Sequence, residues 1–351
     1  MMRFSSILLV LSLSTMLAGN VLAAPLVTGD LVFYYGFDTV SGTTVTDGSG
    51  NDYDGTITGS VTQTTGPLGN AAQFWHDGVD EYGTDWNFIT LPVDSMPSAT
   101  LPTDAITLAA WYNVDPGTEL QSLFNTWSTN DVWATTCVMN RETEDSYRFT
   151  LRDYYNYDIV ECRTVDDGPN WNVWTHIAMT FSAATETMNV YENGQLIGTA
   201  AATSTSPLLN DWGDENEATD GSTRVSTEGD NCRQIMGSLD EFYVFSRALT
   251  ESEINLMVAA GSIPGDTNFD RVVNDNDAAT LAENWLAGDA TWAMGDFNDD
   301  GLVNELDATL LAANWQTGTA PGASVPEPSC LVLLGALFVA FGFYRRATRL
   351  A

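Results

Sequence analysis

The sequence predicts a mainly β chain, in which a large antiparallel two-sheet sandwich is followed by a small all-α module. Three observations support this prediction. Short apolar or alternating runs recur between Gly/Asn/Asp turn clusters throughout residues 25–262, which is typical of strands in a sandwich. Only residues 250–260 of that region have a helical pattern. Beyond it, two segments repeat at an offset of 30 residues, and a helical pattern follows each of them.

Five runs have the clearest strand patterns, and about 230 residues are enough for one well-buried sandwich. The runs are Leu31–Tyr35, Ile106–Trp111, Thr175–Phe181, Met188–Tyr191 and Leu239–Phe245. The one predicted helix of this region begins after Thr250, whose side chain can cap it. Glu253 follows three residues later and completes a capping box.

The repeated segments place oxygen-bearing side chains at positions 1, 3, 5, 9 and 12 of two 12-residue loops, while position 7 offers its backbone carbonyl. This pattern of hard oxygen donors folds around a calcium ion. An acidic linker without bound metal is the alternative. The first set of ligands is Asp266, Asn268, Asp270, Val272, Asn274 and Asp277. The second set is Asp296, Asn298, Asp300, Leu302, Asn304 and Asp307.

The two loops differ at position 6, which needs a left-handed backbone. That position is Gly301 in the second loop but Arg271 in the first. A residue with a side chain costs about 1–2 kcal/mol in this conformation. We therefore expect the first loop to bind calcium more weakly than the second.

A helix is expected behind each loop, because Leu281 and Trp285 recur as Leu311 and Trp315. Residues four apart share one face of a helix, so each pair is predicted to contribute to a core between two helices.

Residues 265–316 resemble a type I dockerin, since both loops fit the line G-D-x-N-x-D-x-x-V-N-x-x-D. The resemblance implies two F-hand calcium loops and docking to a cohesin-type protein, as in bacterial polysaccharide-degrading assemblies. Positions 10 and 11, which contribute to partner choice in the family, are Asp275-Asn276 in one loop and Glu305-Leu306 in the other. A symmetric pair of docking faces is therefore not expected.

The large region resembles a laminin-G-like, concanavalin A-like jelly roll over most of residues 29–258. The landmarks are the segments 35–38, 47–51, 106–111, 174–178, 191–194 and 237–241, followed by 247–254. The fold hosts lectins, glucanases and adhesive modules alike, so it does not define the ligand. The resemblance implies one calcium ion, with Asp38, Asp47, Asn51 and Asp240 as candidate ligands. The alternative is that these are turn residues which bond their own backbone.

Aromatic residues are concentrated in the segment 127–171, where exposed rings could stack on sugars. The candidates for such a glycan platform are Trp127, Trp133, Tyr154, Tyr155 and Trp171. Core packing is the competing explanation, because large aromatic residues dominate buried area.

The residues favour a binding protein over an enzyme. The E-x-D-x-E strand of concanavalin A-like glucanases is missing, and Asp240 and Glu241 are adjacent, so they are expected to face opposite sides of a strand. His176 lies in a predicted strand, where a structural, hydrogen-bonded role is favoured over a metal ligand or a catalytic base. A polysaccharide-degrading hydrolase component and a purely structural or adhesive matrix protein are the two alternatives.

The two ends have the composition of targeting segments. Residues 1–24 fit a signal peptide, with Arg3 before an apolar stretch. The C-terminal end has a Pro-Glu-Pro motif, an apolar run at 330–344 and a basic tail. Its key residues are Pro326, Glu327, Pro328, Arg345 and Arg346. This order resembles the PEP-CTERM sorting signal, which implies an exosortase-type processing enzyme; a permanent membrane anchor is the alternative.

The predicted boundaries are therefore a signal peptide at 1–24, the jelly roll at 25–262, the dockerin-like repeats at 263–318, a linker at 319–329 and the sorting segment at 330–351. This order implies an exported protein at the cell surface or in the extracellular matrix, with a polysaccharide or glycoprotein as ligand. A net charge of −35 argues against nucleic acid as a partner. Cys137 and Cys162 are the preferred disulfide pair, since both lie on strand-like runs and export permits the bond.

Overall fold

The computed structural model describes residues 25–74, 87–97, 100–115, 120–127, 133–140, 146–153, 155, 157–164, 168–208, 212–213, 223–227, 233–288, 290–298 and 300–315. The predicted signal peptide, Tyr154 and the predicted sorting segment lie outside these residues; the last includes Pro326, Glu327, Pro328, Arg345 and Arg346. Within the described ranges, no helix has both the length and the apolar character that crossing a membrane requires.

In the part of the chain that the structure describes, the first sheet has eight antiparallel strands. Its order is β15, β14, β13, β8, β17, β6 and β5, and β1 also pairs with β17. The strands are β1 (Leu31–Tyr35), β5 (Val61–Thr65), β6 (Asn70–Phe74), β8 (Ala105–Val114), β13 (Thr175–Ser182), β14 (Thr187–Glu192), β15 (Gln195–Ala201) and β17 (Gly237–Phe245).

Among the described residues, the second sheet has nine antiparallel strands, in the order β12, β11, β10, β9, β16, β7, β4, β3 and β2. They are β2 (Val40–Ser41), β3 (Thr44–Val45), β4 (Gly55–Thr58), β7 (Phe88–Thr90), β9 (Gln121–Trp127), β10 (Trp133–Asn140), β11 (Ser146–Arg152), β12 (Asp158–Arg163) and β16 (Arg224–Val225). The inner faces of both sheets share one apolar core, which includes Tyr112, Phe124 and Phe242. The predicted two-sheet sandwich is therefore confirmed, and each of the five predicted strand runs lies within an observed strand.

A second apolar cluster lies on the outer face of the first sheet. Helix α1 (Glu251–Gly261) covers this face with Ile254, Met257 and Val258, which are buried together with Trp111 of β8. The predicted capping box at the start of α1 is present. Covering this face explains why β8 and β17 are buried along almost their whole length.

The C-terminal module has the two predicted helices, α2 (Asp275–Glu283) and α3 (Glu305–Ala313), each directly behind one loop. Its small core consists of Val273, Leu281, Phe297, Val303 and Leu311. The expectation that Trp285 shares the buried face of a helix is wrong. Helix α2 ends at Glu283, and Trp285 is 44% exposed beyond that end.

The preferred Cys137–Cys162 disulfide is absent, and both thiols are free and buried. The register explains this, because Cys137 of β10 and Cys162 of β12 both pair with Phe149 of β11, which lies between them. Two strand spacings put the two Cα atoms about 10 Å apart, beyond the ~7 Å limit of a disulfide.

Candidate metal sites and binding surfaces

The two loops bury the carboxylates of positions 1 and 12 and expose the side chains of positions 3 and 5. Asp266 and Asp277 of the first loop are 1% and 0% exposed, and Asp296 and Asp307 of the second are 2% and 0% exposed. Four acids buried in one small module with few apolar residues need a compensating partner.

Position 1 accepts the same pair of backbone hydrogen bonds in both loops. Asp266 accepts from the N–H groups of Asp270 and Arg271, at 3.2 and 2.8 Å. In the second loop, Asp296 accepts from the N–H groups of Asp300 and Gly301, at the same two distances. The carboxylate at position 1 therefore closes the first turn of each loop.

Position 12 ties the end of each loop to its start. Asp277 accepts from the N–H groups of Thr267 and Asn274, at 2.9 and 2.8 Å. Asp307 accepts from the N–H groups of Phe297 and Asn304, both at 2.9 Å. Each acid also completes the capping box of the helix that follows.

Position 9 is the N-cap of that helix. The side chain of Asn274 accepts from Asn276 N–H, and that of Asn304 accepts from Leu306 N–H, both at 2.8 Å. Their amide groups also donate to the carbonyls of Val272 and Leu302 at position 7, both at 3.3 Å. The remaining candidate ligands, at positions 3 and 5, are linked by Asn268 to Asp270 and Asn298 to Asp300 hydrogen bonds of 3.0 Å.

The electrostatics of the loops favour a bound cation. Burial, together with the nearby charges of Asp270 and Asp277 and against two backbone hydrogen bonds, raises the pKa of Asp266 to about 6. Burial likewise raises the pKa of Asp296. A divalent cation among these oxygens would favour the charged carboxylates.

The donor set fits calcium, which prefers carboxylate, amide and carbonyl oxygens. Among the described residues, no group of three or more His, Cys, Asp or Glu is arranged as a metal cluster. The candidate ligands of each loop include Asn side chains and a backbone carbonyl as well as Asp carboxylates, so they extend beyond those four residue types.

Position 6 has the expected left-handed backbone in both loops, with φ of 68° at Arg271 and 79° at Gly301. The Arg271 guanidinium donates from Nη1 to the carbonyl of Gly261, at the end of α1, at 2.5 Å. Burial lowers the pKa of this guanidinium, while Asp266 and Asp240 oppose that shift. The strained residue is therefore anchored through its side chain.

The sandwich brings together only two of its four candidate calcium ligands. Asp38 accepts from Asn70 N–H at 2.7 Å, and Asp240 accepts from Leu68 N–H at 3.1 Å, so the turn between β5 and β6 holds both carboxylates. A Cβ at Gly66 would lie 2.3 Å from an Asp240 oxygen, which shows how tightly this turn packs.

Asp47 and Asn51 organise a separate turn. The Asp47 carboxylate accepts from the N–H groups of Tyr34, Ser49 and Tyr53, at 2.9, 2.9 and 3.0 Å. The Asn51 side chain donates to the carbonyl of Val32 at 2.8 Å. These contacts match the turn alternative.

Glu241 joins Asp38 and Asp240, and the expectation that Asp240 and Glu241 face opposite sides of the strand is wrong. The register of β17 against β8 is irregular between residues 240 and 243, and Glu241 has a positive φ of 54°. This β-bulge adds one residue to the strand and turns its side chain. Burial is the main cause that raises the pKa of both Asp240 and Glu241, and the charge of Asp38 adds to it.

The acid pair is enclosed. Asp240 and Glu241 are 0% and 3% exposed, and Glu241 accepts from the hydroxyls of Tyr34 and Tyr243 at 2.5 and 2.6 Å. Burial, followed by the charge of Glu241, raises the pKa of Asp240 to about 8. The sequence pattern of β17 could not reveal the cluster of Asp38, Asp240 and Glu241, because the bulge depends on tertiary contacts.

His176 is also enclosed. Burial lowers its pKa to about 3, and neither ring nitrogen has a hydrogen-bond partner within the described part of the chain. Its ring contacts the Trp111 ring edge-on, with centroids 5.4 Å apart. The ring is enclosed, as a structural role requires, but the hydrogen bond predicted for it is missing among the described residues.

The described candidates of the proposed glycan platform differ in exposure. Trp127 and Trp171 are half-buried, and Trp171 packs against the core. Trp133 begins β10 opposite Trp127, and its side chain lies outside the described part. Tyr155 is 74% exposed at the tip of the β11–β12 hairpin.

A second exposed tyrosine, Tyr157, lies beside Tyr155 at the same tip and is 69% exposed. Asp153, which is 6% exposed, accepts from the N–H groups of both tyrosines at 2.9 and 3.1 Å. An ion pair of 2.6 Å between Arg152 and Asp158 joins the two strands just below. Tyr157 belongs to the same aromatic-rich stretch of the sequence but is not among the five platform candidates, because exposure cannot be read from composition.

Two family models match the chain. The model described as the concanavalin A-like lectin/glucanases superfamily (Laminin_G_3) matches residues 91–255, and that of the dockerin type I domain matches residues 264–314. The chain therefore contains a concanavalin A-like domain and a dockerin type I domain. No curated protein matches the chain.

Several solved structures are similar to the chain. The binding domain of Paraclostridial Mosquitocidal Protein 1 is 18% identical with a TM-score of 0.48, and the match covers 66% of this chain and 52% of that one. The binding domain of Botulinum Neurotoxin DC in complex with SialylT is 13% identical with a TM-score of 0.48, covering 68% and 53%. The chain thus spans about half the length of these two toxin domains.

A third similar structure is Domain 4 of AbnA, a GH43 extracellular arabinanase from Geobacillus stearothermophilus, in complex with arabinotriose. It is 17% identical with a TM-score of 0.46, covering 65% of this chain and 98% of that one.

Proposed function

We propose that this chain, with its concanavalin A-like and dockerin type I domains, is an exported, non-catalytic surface protein that binds carbohydrate through its sandwich and docks to a cohesin-type protein through its calcium-loaded module. The observation that carries this proposal is the duplicated loop. Both copies bury the same two carboxylates on the same backbone donors, which is the preparation expected of two sites for one type of cation.

The proposal includes the boundaries predicted from the sequence, with a signal peptide at 1–24, a sandwich at 25–262, a module at 263–318, a linker at 319–329 and a sorting segment at 330–351. An exosortase-type enzyme would process the last segment near Glu327. Export supports the calcium function, because calcium outside cells reaches concentrations that fill sites of modest affinity.

Calcium titration of the full chain is expected to reveal two sites of unequal affinity in the module. Arg271 adopts the left-handed conformation at a cost of about 1–2 kcal/mol, which corresponds to roughly a 5- to 30-fold weaker first site. Isothermal calorimetry on the chelator-stripped protein measures both constants. Asp270→Ala should remove the weaker site and Asp300→Ala the stronger one; equal affinities would contradict this prediction.

A third, sandwich site is included in the proposal, with Asp38 and Asp240 as its ligands and Glu241 beside them. Asp47 and Asn51 remain candidates on the sequence resemblance alone. A third calcium ion in the same titration, removed by Asp38→Asn, would support this site.

Glycan binding is expected to depend on the exposed hairpin. A sugar ring stacks on exposed aromatic faces, and Asp153 fixes the backbone that carries the two tyrosines. We expect the double change Tyr155→Ala with Tyr157→Ala to lower the affinity for the best-binding glycan of an array by at least about tenfold. A loss of about 1.4 kcal/mol in binding free energy corresponds to one order of magnitude.

Leu196→Ala is the matched control for this experiment, because Leu196 is another large apolar side chain, 54% exposed on the same domain. An array without saturable binding would favour the structural or adhesive alternative. Release of reducing sugar from a polysaccharide, lost on an acid-to-amide change, would favour the hydrolase alternative.

A further inference from the structure

The first calcium loop contacts the sandwich through two residues that the second loop lacks. Positions 4 and 6 are Phe269 and Arg271 in the first loop but Asp299 and Gly301 in the second. At these positions the first repeat differs from the second by one large aromatic and one long basic side chain. Both point to a contact that only one repeat makes.

Phe269 belongs to the apolar cluster on the outer face of the first sheet. It is 7% exposed and buried in the same cluster as Trp111 and Met257. Its ring stacks on Trp292 at a centroid distance of 6.4 Å, and Trp292 packs against both this cluster and the core of the module. The two hydrophobic cores are therefore joined at the first loop.

Trp292 also contacts the loop backbone. Its indole Nε1 donates to the carbonyl of Asp266 at 2.7 Å, and the side chain of Asp266 is the position 1 ligand. The residue that bridges the two cores is thus bonded to the first ligand of the loop.

Arg271 joins the loop to the end of α1. Besides its hydrogen bond to Gly261, it lies close enough to Asp240 of β17 for the two charges to interact. Gly261 itself packs on Trp111, since a Cβ there would lie 2.6 Å from the indole ring. The guanidinium is therefore held between the loop, the helix and the sheet.

Phe269 and Arg271 both have a positive φ, of 58° and 68°. Such conformations cost energy and persist only where the surroundings fix them. A calcium ion fixes positions 3, 5 and 7, which alternate with these residues along the loop. Ordering the loop around the ion thereby sets the two side chains in the positions from which they contact the sandwich.

We propose that the first loop is a calcium-dependent latch, in which calcium bound there fastens the module to the sandwich, whereas calcium in the second loop does not. The proposal rests on calcium binding by the module, which belongs to the proposed function. Because coupling between two sites is reciprocal, the docked sandwich in turn strengthens calcium binding in the first loop.

Hydrogen exchange of the full chain, with and without calcium, tests the latch. Asp270→Ala and Asp300→Ala are a matched pair, since both side chains are exposed at position 5 and accept an Asn amide at 3.0 Å. In the wild type we expect calcium to slow exchange at the end of α1 and around Glu241 by at least about fivefold. Asp270→Ala should abolish this protection, and Asp300→Ala should retain it.

The double change Phe269→Asp with Arg271→Gly gives the first loop the second loop's residues. It should still bind two calcium ions in calorimetry, yet calcium should no longer slow exchange in the sandwich. If the wild type binds two calcium ions but exchange in the sandwich is not slowed, the latch is overturned and the proposed function stays intact. Equal effects of Asp270→Ala and Asp300→Ala on exchange would have the same meaning. Absence of calcium binding would overturn both.

Discussion

Asp277→Ala is expected to remove one calcium ion and to unfold helix α2, with a loss of at least about 3 kcal/mol in module stability. The carboxylate is completely buried and accepts three hydrogen bonds, from the N–H and the hydroxyl of Thr267 and from Asn274 N–H. Truncation leaves these donors unsatisfied, at about 1–3 kcal/mol each. Asp307→Ala should cost less, since Asp307 accepts two such bonds.

Calcium stoichiometry and helical circular dichroism of the full chain measure this effect, with the melting of the module followed at saturating calcium. Asp275→Ala is the matched control, because Asp275 lies two residues away in the first turn of α2 and is exposed. Its loss removes only a favourable interaction with the helix dipole, about 0.3–1 kcal/mol. Two bound ions and an unchanged melt for Asp277→Ala would disprove the assignment of position 12.

Asp240→Asn is expected to stabilise the sandwich by about 4 kcal/mol above pH 8 in calcium-free buffer. The pKa of Asp240 is raised from 3.8 to about 8 in the folded protein by burial and by the charges of Glu241 and Asp38. The folded state therefore binds the proton more tightly than the unfolded state between these two values. The free energy of unfolding should fall as pH rises from about 4 to 8, and the amide should remove that part of the slope.

Urea unfolding at several pH values measures this slope. The expected stabilisation allows for the loss of one hydrogen bond. Asp240 accepts from Leu68 N–H and Glu241 N–H on different oxygens, whereas the amide of Asn can accept on only one atom. Asp104→Asn, an exposed acid of the same domain, is the control and should leave the slope unchanged. A parallel pH profile for Asp240→Asn and wild type would refute the prediction. If calcium binds at Asp38 and Asp240, calcium should abolish the wild-type slope as well.

The sandwich, the helix after Thr250 and the two repeated loops could be predicted from the sequence, because each has a local signal. Strand periodicity, a capping box and a repeat of oxygen donors are all visible within about a dozen residues. The position 6 difference was visible for the same reason. The structural consequence of this difference could not be predicted, because the contact of Arg271 with Gly261 depends on how the module lies against α1.

The misses share a non-local cause. The bulge at Glu241 arises from how β17 pairs with β8 and from the two tyrosines that bond its carboxylate. The Cys137–Cys162 pair failed because strand order, which places β11 between them, is not encoded in either strand. The exposure of Tyr157 likewise depends on its place between β11 and β12, which a sequence pattern does not give.

The first strand of the sandwich pairs with the last. β1 lies against β17, and the Tyr34 hydroxyl bonds the Glu241 carboxylate across a sequence separation of 207 residues. Loop closure of this length is slow, so folding should be governed by one late, long-range event. During export, β1 would emerge first and stay unpaired until nearly the whole domain had crossed. Completion of the sandwich and arrival of the calcium loops would then be almost simultaneous, because the first loop begins only about 20 residues after β17 ends.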